Sequence, residues 1–229
     1  MIVPAAVLFD LDDTLFDQRH WLDGAWDAVA RRAVELCGGV AWGLADALRA
    51  VSADGGSAQG GIIDRAVASC GLEVAIAPLV DAFRTHEPDR LEPYPGVRAG
   101  LPRLAATMPI GIVTDGDCGI QQGKLAALGL GDCLSAVVLS DSLGRAHRKP
   151  DPAPVRAALD ALGADPVEVV FVGDNPLKDV AGAAALGMTT IRVRTGEYGN
   201  LEGPVRPDVE VADAAAAIEL LLSWRSGRA

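Results

Sequence analysis

The amino-acid sequence predicts an α/β fold: a doubly wound parallel sheet of five core strands, interrupted by an inserted all-helical segment. Three observations lead there. Apolar, β-branched-rich runs recur along the chain and end in small or polar residues. Helical patterns lie between them, and one long interval after the first run holds helical patterns only.

The clearest runs are Ala5 to Leu11, Ile110 to Thr114, Val167 to Gly173 and Thr189 to Val193, with a weaker fifth at Ala136 to Leu139. They are continuous rather than alternating, as in strands covered on both faces. Helices are expected at Val97 to Ala106, Gly119 to Leu128, Ala153 to Leu162 and Leu177 to Leu186. Strand–helix alternation of this kind builds a Rossmann-like parallel sheet with right-handed crossovers. Between Phe16 and Pro93 the spacing of Leu22, Trp26, Val29, Ala33 and Leu36 is helical. Leu44 to Val51, Ile62 to Cys70 and Ala75 to Phe83 continue it, punctuated by Gly38-Gly39, Gly55-Gly56 and Gly60-Gly61. The expected organisation is a core of residues 1–16 and 94–229 and a helical cap of residues 17–93. The end after Trp224 reads as a frayed tail.

Composition narrows the function classes. A formal net charge of −11 argues against nonspecific nucleic-acid binding, which rests on Lys and Arg against phosphates. No stretch is long and apolar enough to span a bilayer, and MIVPAAVLFDLDD places acidic residues where a signal peptide would stay apolar. Cys37, Cys70, Cys118 and Cys133 show neither C-x-x-C nor zinc-finger spacing, so reduced thiols and a cytoplasmic location are expected. The sequence carries no signal for oligomeric state.

Chemistry-bearing residues gather at strand ends. Asp10, Asp12 and Thr14 lie in FDLDDTLFD at the end of the first strand, and Thr114, Asp115 and Gly116 in IGIVTDG at the end of the second. Lys149 lies in HRKPDP, and Asp174 and Asp179 in VGDNPLKD. Open parallel sheets bind ligands at this carboxyl edge. Asp10, Asp12, Asp174 and Asp179 with Lys149 would sum to −4 plus 1, or −3. Each unit charge pair at 4 Å costs about 4 kcal/mol at an effective dielectric of 20, so an anionic substrate needs a divalent cation there. Oxygen-only ligands favour Mg²⁺.

These residues resemble the four motifs of the haloacid dehalogenase superfamily of phosphatases. DLDDT matches its D-x-D-x-T nucleophile motif, Thr114 the second motif, Lys149 the third, and Gly173-Asp174 with Asp179 the fourth. The resemblance covers nearly the whole chain outside the helical segment. It implies that Asp10 attacks phosphorus and becomes an aspartyl-phosphate, while Asp12 protonates the leaving oxygen and then activates water. It further implies that Thr114 and Lys149, with backbone N–H groups around Asp115 and Gly116, hold the phosphoryl oxygens. Mg²⁺ would be held by Asp10, Asp174 and the Asp12 carbonyl, with Thr14 and Asp179 in support. The dehalogenases of the superfamily lack the second motif-one Asp, so Asp12 disfavours dehalogenation. A finer resemblance, in TDGDCGIQQGK, is to N-acylneuraminate-9-phosphatases and pyrimidine 5′-nucleotidase-like enzymes, whose T-N-G-D is followed by Gln and Lys. Gln121 and Lys124 fit, and Asp115 stands where that pattern has Asn. The implied substrate is a small phosphorylated metabolite: a sugar phosphate, a nucleoside monophosphate or phosphoglycolate.

Blander readings stand beside these. Asp179 could pair with Lys178 or cap the next helix, and Lys149 alone could be a solvated surface residue. Trp21, Trp26 and Trp42 could line a pocket, but their helical spacing favours a core. Arg19 and His20 could meet a leaving group, with exposed helix-start positions the simpler reading. Two rival functions share the residue set. A phosphosugar mutase would need a dedicated acid/base in the helical segment, where none stands out. A non-enzymatic phospho-acceptor switch would need neither Asp12 nor a lid.

Overall fold

The computed structural model describes residues 3–39, 41, 43–57, 59–225 and 227. Trp42, one of the three tryptophans weighed above, and Met1 and Ile2 of the expected core lie outside the described residues. The described chain divides into two compact units, one of residues 1–18 and 90–229, the other of Arg19–Asp89.

The first unit holds one sheet. Its strands are β1 (Ala6–Phe9), β2 (Ile110–Thr114), β3 (Ala136–Leu139), β4 (Val169–Gly173), β5 (Thr189–Val193) and β6 (Val209–Val211). They lie in the order β3-β2-β1-β4-β5-β6, and every neighbouring pair is parallel. The helices between them are α5 (Val97–Ala105), α6 (Cys118–Leu128), α7 (Pro152–Leu162), α8 (Ala181–Ala185) and α9 (Ala214–Arg225). Ala6 and Leu8 of β1 pack with Phe171 of β4 and with Val155, Ala158 and Leu159 of α7. Val7 and Phe9 project to the opposite face and are equally buried. Burial on both faces is why β1, β2 and β4 read as unbroken apolar runs.

The structure departs from the sequence expectation at three places. There is a sixth strand: β6 is three residues long and half exposed, so it leaves no apolar run to read. It is fastened by Asp208, whose carboxylate accepts from the Thr190 N–H at 2.8 Å and hydroxyl at 2.9 Å. The expected helix at 177–186 is instead a wide turn, Pro176–Val180, followed by the short α8. The Asn175 carbonyl accepts from both Asp179 and Val180, and the Asn175 side chain accepts from the N–H groups of Leu177 and Lys178. Finally, Arg225 is not frayed. It closes α9 and donates to the carbonyls of Thr107 at 2.8 Å and Pro4 at 3.3 Å.

The second unit is helical: α1 (Gln18–Leu36, which begins at its edge), α2 (Leu44–Gly55), α3 (Ile62–Ser69) and α4 (Ile76–Arg84). Phe83 stacks on Trp26 with centroids 4.7 Å apart and meets Trp21 edge-on at 5.1 Å. Both tryptophans are buried, so they form this unit's core. Arg19 and His20 are exposed near the start of α1.

Replacing Asp208 by Ala removes the side-chain bonds that tie the start of β6 to β5. The expected result is a loss of about 1 kcal/mol in urea unfolding, with faster amide exchange confined to β6 and the facing edge of β5. Unchanged exchange at Thr190 would show that the pair contributes nothing.

Candidate active site

The site is assembled where the strand order reverses. β1 is flanked by β2 on one side and β4 on the other, and the Asp10 N–H donates to the Val172 carbonyl at 2.9 Å. The chain then turns sharply. Asp13 takes a left-handed backbone, φ 57°, which Asp tolerates better than most residues. Its buried carboxylate accepts from the N–H groups of Gln18 at 3.0 Å and Glu197 at 3.1 Å. Gly196 presses against it so closely that a Cβ there would lie 2.2 Å from Asp13 Cβ. Around this turn Asp10 and Thr14 both meet Asp174, whereas Asp12 meets α6.

Asp10 joins Asp174 and Asp179, with one carboxylate oxygen of each lying within 4.8 Å of the others. Lys149, also buried, closes this group. Its Nζ donates to Asp10 Oδ1 at 2.5 Å, to Asp179 Oδ1 at 2.7 Å and to the Val113 carbonyl at 3.1 Å. Asp179 reaches back because of the wide turn and because residue 173 is Gly, where a Cβ would sit 2.4 Å from Asp179 Oδ2. That oxygen accepts from the Asn175 N–H at 3.0 Å. The Thr14 hydroxyl accepts from the Asp174 N–H at 3.1 Å and donates to Asp174 Oδ1 at 3.2 Å.

Asp12 takes another direction. Its Oδ1 accepts from Lys124 Nζ at 2.7 Å and its Oδ2 from Gln121 Nε2 at 2.8 Å, both on α6. Gln121 Nε2 lies 2.6 Å from the Thr114 hydroxyl as well, which ties Asp12 to the end of β2. Of the four carboxylates the sequence groups together, the structure gathers three. The carboxylate of Asp12 stands apart.

Thr114, Asp115 and Gly116 follow β2. The Asp115 carboxylate accepts from the Lys149 N–H at 3.0 Å and from Lys178 Nζ at 3.0 Å. Lys178 therefore pairs with Asp115 rather than with its neighbour Asp179. Gly116 has φ 133°, and a Cβ there would be 3.3 Å from the Gln121 side chain. Sequence reasoning left Asp13 and Lys178 out of the site. Gln121 and Lys124 came only through a resemblance, although their i, i+3 spacing signals one helix face.

The electrostatics are unbalanced. Three buried carboxylates against one buried ammonium would leave two negative charges if all were ionised. Burial pushes the Asp10 carboxyl up to about 7, with Lys149 opposing and Asp179 adding to the rise. Asp174 is also raised, by burial and then by Asp179 and Asp10. Burial works against the Lys149 charge, but Asp10, Asp179 and Asp115 outweigh it and hold the ammonium above its ordinary range. Burial raises Asp115, and Lys149 and Lys178 overcome it, leaving that carboxyl below its usual value. Asp174 Oδ2 is buried with no hydrogen-bond partner. An orphaned carboxylate oxygen beside two uncompensated charges fits a hard divalent cation bound by oxygen.

A family model described as haloacid dehalogenase-like hydrolase matches residues 4–187. The phosphoglycolate phosphatase of Rhodospirillum rubrum is 38% identical over 220 residues, covering 89% of this chain and 83% of that protein. The glyceraldehyde 3-phosphate phosphatase of Methanopyrus kandleri is 33% identical, covering 91% of each. Among solved structures, the 2-haloacid dehalogenase of Pseudomonas syringae pv. tomato superposes with a TM-score of 0.66 at 27% identity, covering 98% of this chain and 100% of that one. The chain belongs to the haloacid dehalogenase-like hydrolase family. Within it, this protein is a phosphoric monoester hydrolase.

The raised Asp10 carboxyl sets a pH signature. Its contribution to stability is present below its ordinary value of 3.8 and is lost as pH rises through about 7. In EDTA, the stability of Asp10→Asn relative to wild type should therefore increase between those limits and level off above them. Urea midpoints measured for both proteins across that range test this. A difference independent of pH would remove Asp10 as the titrating group.

Proposed function

We propose that the protein hydrolyses phosphate monoesters of small metabolites with Mg²⁺, through a phosphorylated Asp10. The observation that carries the reading is the buried group of Asp10, Asp174, Asp179 and Lys149, in which Asp174 Oδ2 has no partner. Asp10, Asp174 and the backbone carbonyl of Asp12 would hold the ion. Asp179 has both oxygens engaged, by Lys149 and the Asn175 N–H, so its part is to orient Lys149. When bound, Mg²⁺ offsets charge on the transferring phosphoryl group and aligns it.

The chain's own residues do the rest. An Asp10 oxygen forms a bond to phosphorus as the bond to the leaving oxygen breaks, and that oxygen takes a proton from Asp12. In the second half-reaction Asp12 accepts a proton from water, whose oxygen bonds to phosphorus while the Asp10–phosphorus bond breaks. Lys149 and Thr114, with N–H groups of Asp115 and Gly116, hold the phosphoryl oxygens through both steps. Dehalogenation has no leaving oxygen and gives Asp12 no task, which favours the phosphatase reading despite the likeness to a dehalogenase structure. The names of the two relatives point to small phosphorylated acids and aldehydes, and sugar phosphates and nucleoside monophosphates complete the range to be screened.

Activity should vanish in EDTA, return with Mg²⁺ and fall when Ca²⁺ competes, since its looser coordination misplaces Asp10. Rapid-quench trapping should find labelled phosphoenzyme in wild type and none in Asp10→Asn. In Asp12→Asn, an activated aryl phosphate should still label Asp10 while turnover drops by about 10²- to 10⁴-fold. Label accumulating in Asp10→Asn but not in Asp12→Asn would reverse the two roles.

Substrate choice is assigned by the same reading to the helical cap, whose observed unit of residues 19–89 contributes none of the clustered carboxylates. Exchanging that unit for a relative's should reorder kcat/KM across phosphorylated metabolites and keep the Mg²⁺ requirement. An unchanged order in a folded chimera counts against it.

A further inference from the structure

We infer that Lys124, together with Gln121, is a positioning residue that fixes the Asp12 carboxylate for proton transfer. The inference rests on the acid–base role proposed for Asp12.

Lys124 is only 5% exposed and Gln121 only 1%. A buried ammonium needs a partner of opposite charge, and Lys124 Nζ has one at 2.7 Å in Asp12 Oδ1. The other Asp12 oxygen accepts from Gln121 at 2.8 Å. Both oxygens are thus held from one helix face by side chains three positions apart, so the carboxylate can neither rotate nor swing toward Asp10 without breaking a bond. The helix itself is anchored. Asp117 caps α6 by accepting from the N–H groups of Gly119 and Ile120. The Gln121 amide also lies 2.6 Å from the Thr114 hydroxyl, so Asp12 is registered against the residue expected to hold the phosphoryl group.

The same Asp12 has to face the leaving oxygen in the first half-reaction and water in the second. These two oxygens occupy the same in-line position relative to phosphorus in turn. A fixed carboxylate serves both, whereas a mobile one must find that position twice. Misplacement by about 1 Å can cost about 10²-fold.

The test uses the full chain with Mg²⁺ and a series of phosphate monoesters of increasing leaving-group pKa. Lys124→Met should lower kcat roughly 10- to 100-fold for alkyl phosphates and much less for activated aryl phosphates, with KM little changed. Its dependence on leaving-group pKa should steepen as in Asp12→Asn. In the Asp12→Asn background, adding Lys124→Met should cause no further loss, because Lys124 acts through Asp12. Should Lys124→Met fail to fold, Gln121→Met carries the same test on the other oxygen. Equal losses for all leaving groups, or an additional loss in the double variant, would overturn the positioning role while Asp12→Asn keeps its steep dependence. A flat dependence in Asp12→Asn itself would overturn the acid–base reading, and this inference with it.

Discussion

The buried ammonium of Lys149 is the interaction on which the rest of the site depends. It links the end of β1 through Asp10, the end of β2 through the Val113 carbonyl, and the turn after β4 through Asp179. Without it, three carboxylates would face one another in a dry pocket, at a cost of several kcal/mol for each uncompensated charge. With it, the excess is two negative charges. Protons relieve part of that excess, as the raised Asp10 and Asp174 carboxyls show, and a divalent cation would relieve it in full. The Lys149 backbone N–H, bonded to Asp115, extends the same tie to the loop after β2. Sheet topology brings the strand ends together, and one cation lets them stay.

Short irregularities of the backbone do the aiming. The left-handed Asp13 turns the chain immediately after Asp12, and Gly196 allows the loop after β5 to hold Asp13 in place. The wide turn at Pro176–Val180 swings Asp179 back over Gly173, where any side chain would collide. Turns of this π type recur at functional sites because they re-aim a side chain that a regular helix would carry away. In both places the conformation is held by side-chain acceptors on backbone N–H groups, Asp13 in one and Asn175 in the other.

The fold was legible where burial on both faces wrote an unbroken apolar run, as in β2 and β5, which begin and end where the runs do. β3 also matches its run, although Val137 on it is exposed. β6 was not legible, since a three-residue edge strand half open to solvent has no such signature and depends on the distant Asp208–Thr190 pair. The turn at 176–180 was hidden for a different reason. Its residues have acceptable helix spacing, and only the Asn175 and Asp179 side chains select the wider geometry. At the site, the order of motifs placed Asp10, Thr114, Lys149, Asp174 and Asp179 at strand ends. Asp10, Thr114 and Asp174 lie there, whereas Lys149 lies well beyond β3, just before α7, and Asp179 within the turn after β4. That order could not tell which carboxylates meet, because that depends on partners from elsewhere in the fold, Gln121 and Lys124 for Asp12 and the Asp174–Asp179 turn for Asp10. A sequence reading that counts charges therefore places Asp12 in the cluster, while the structure turns it toward a cation of its own.

That divergence gives the topological switch point a chemical meaning. β1 is the one strand with β2 and β4 as its two neighbours, and each neighbour addresses a different carboxylate of the same loop. From the β4 side come Asp174 and Asp179, which surround Asp10 with negative charge and leave room for a metal. From the β2 side come Gln121 and Lys124 on α6, which surround Asp12 with donors. Two carboxylates separated by one intervening residue thus sit in opposite fields. The negative field at Asp10 favours its protonated form, so its ionised, attacking form depends on the cation that Asp10 and Asp174 would hold, whereas the donors on α6 fix the Asp12 carboxylate outside that cluster.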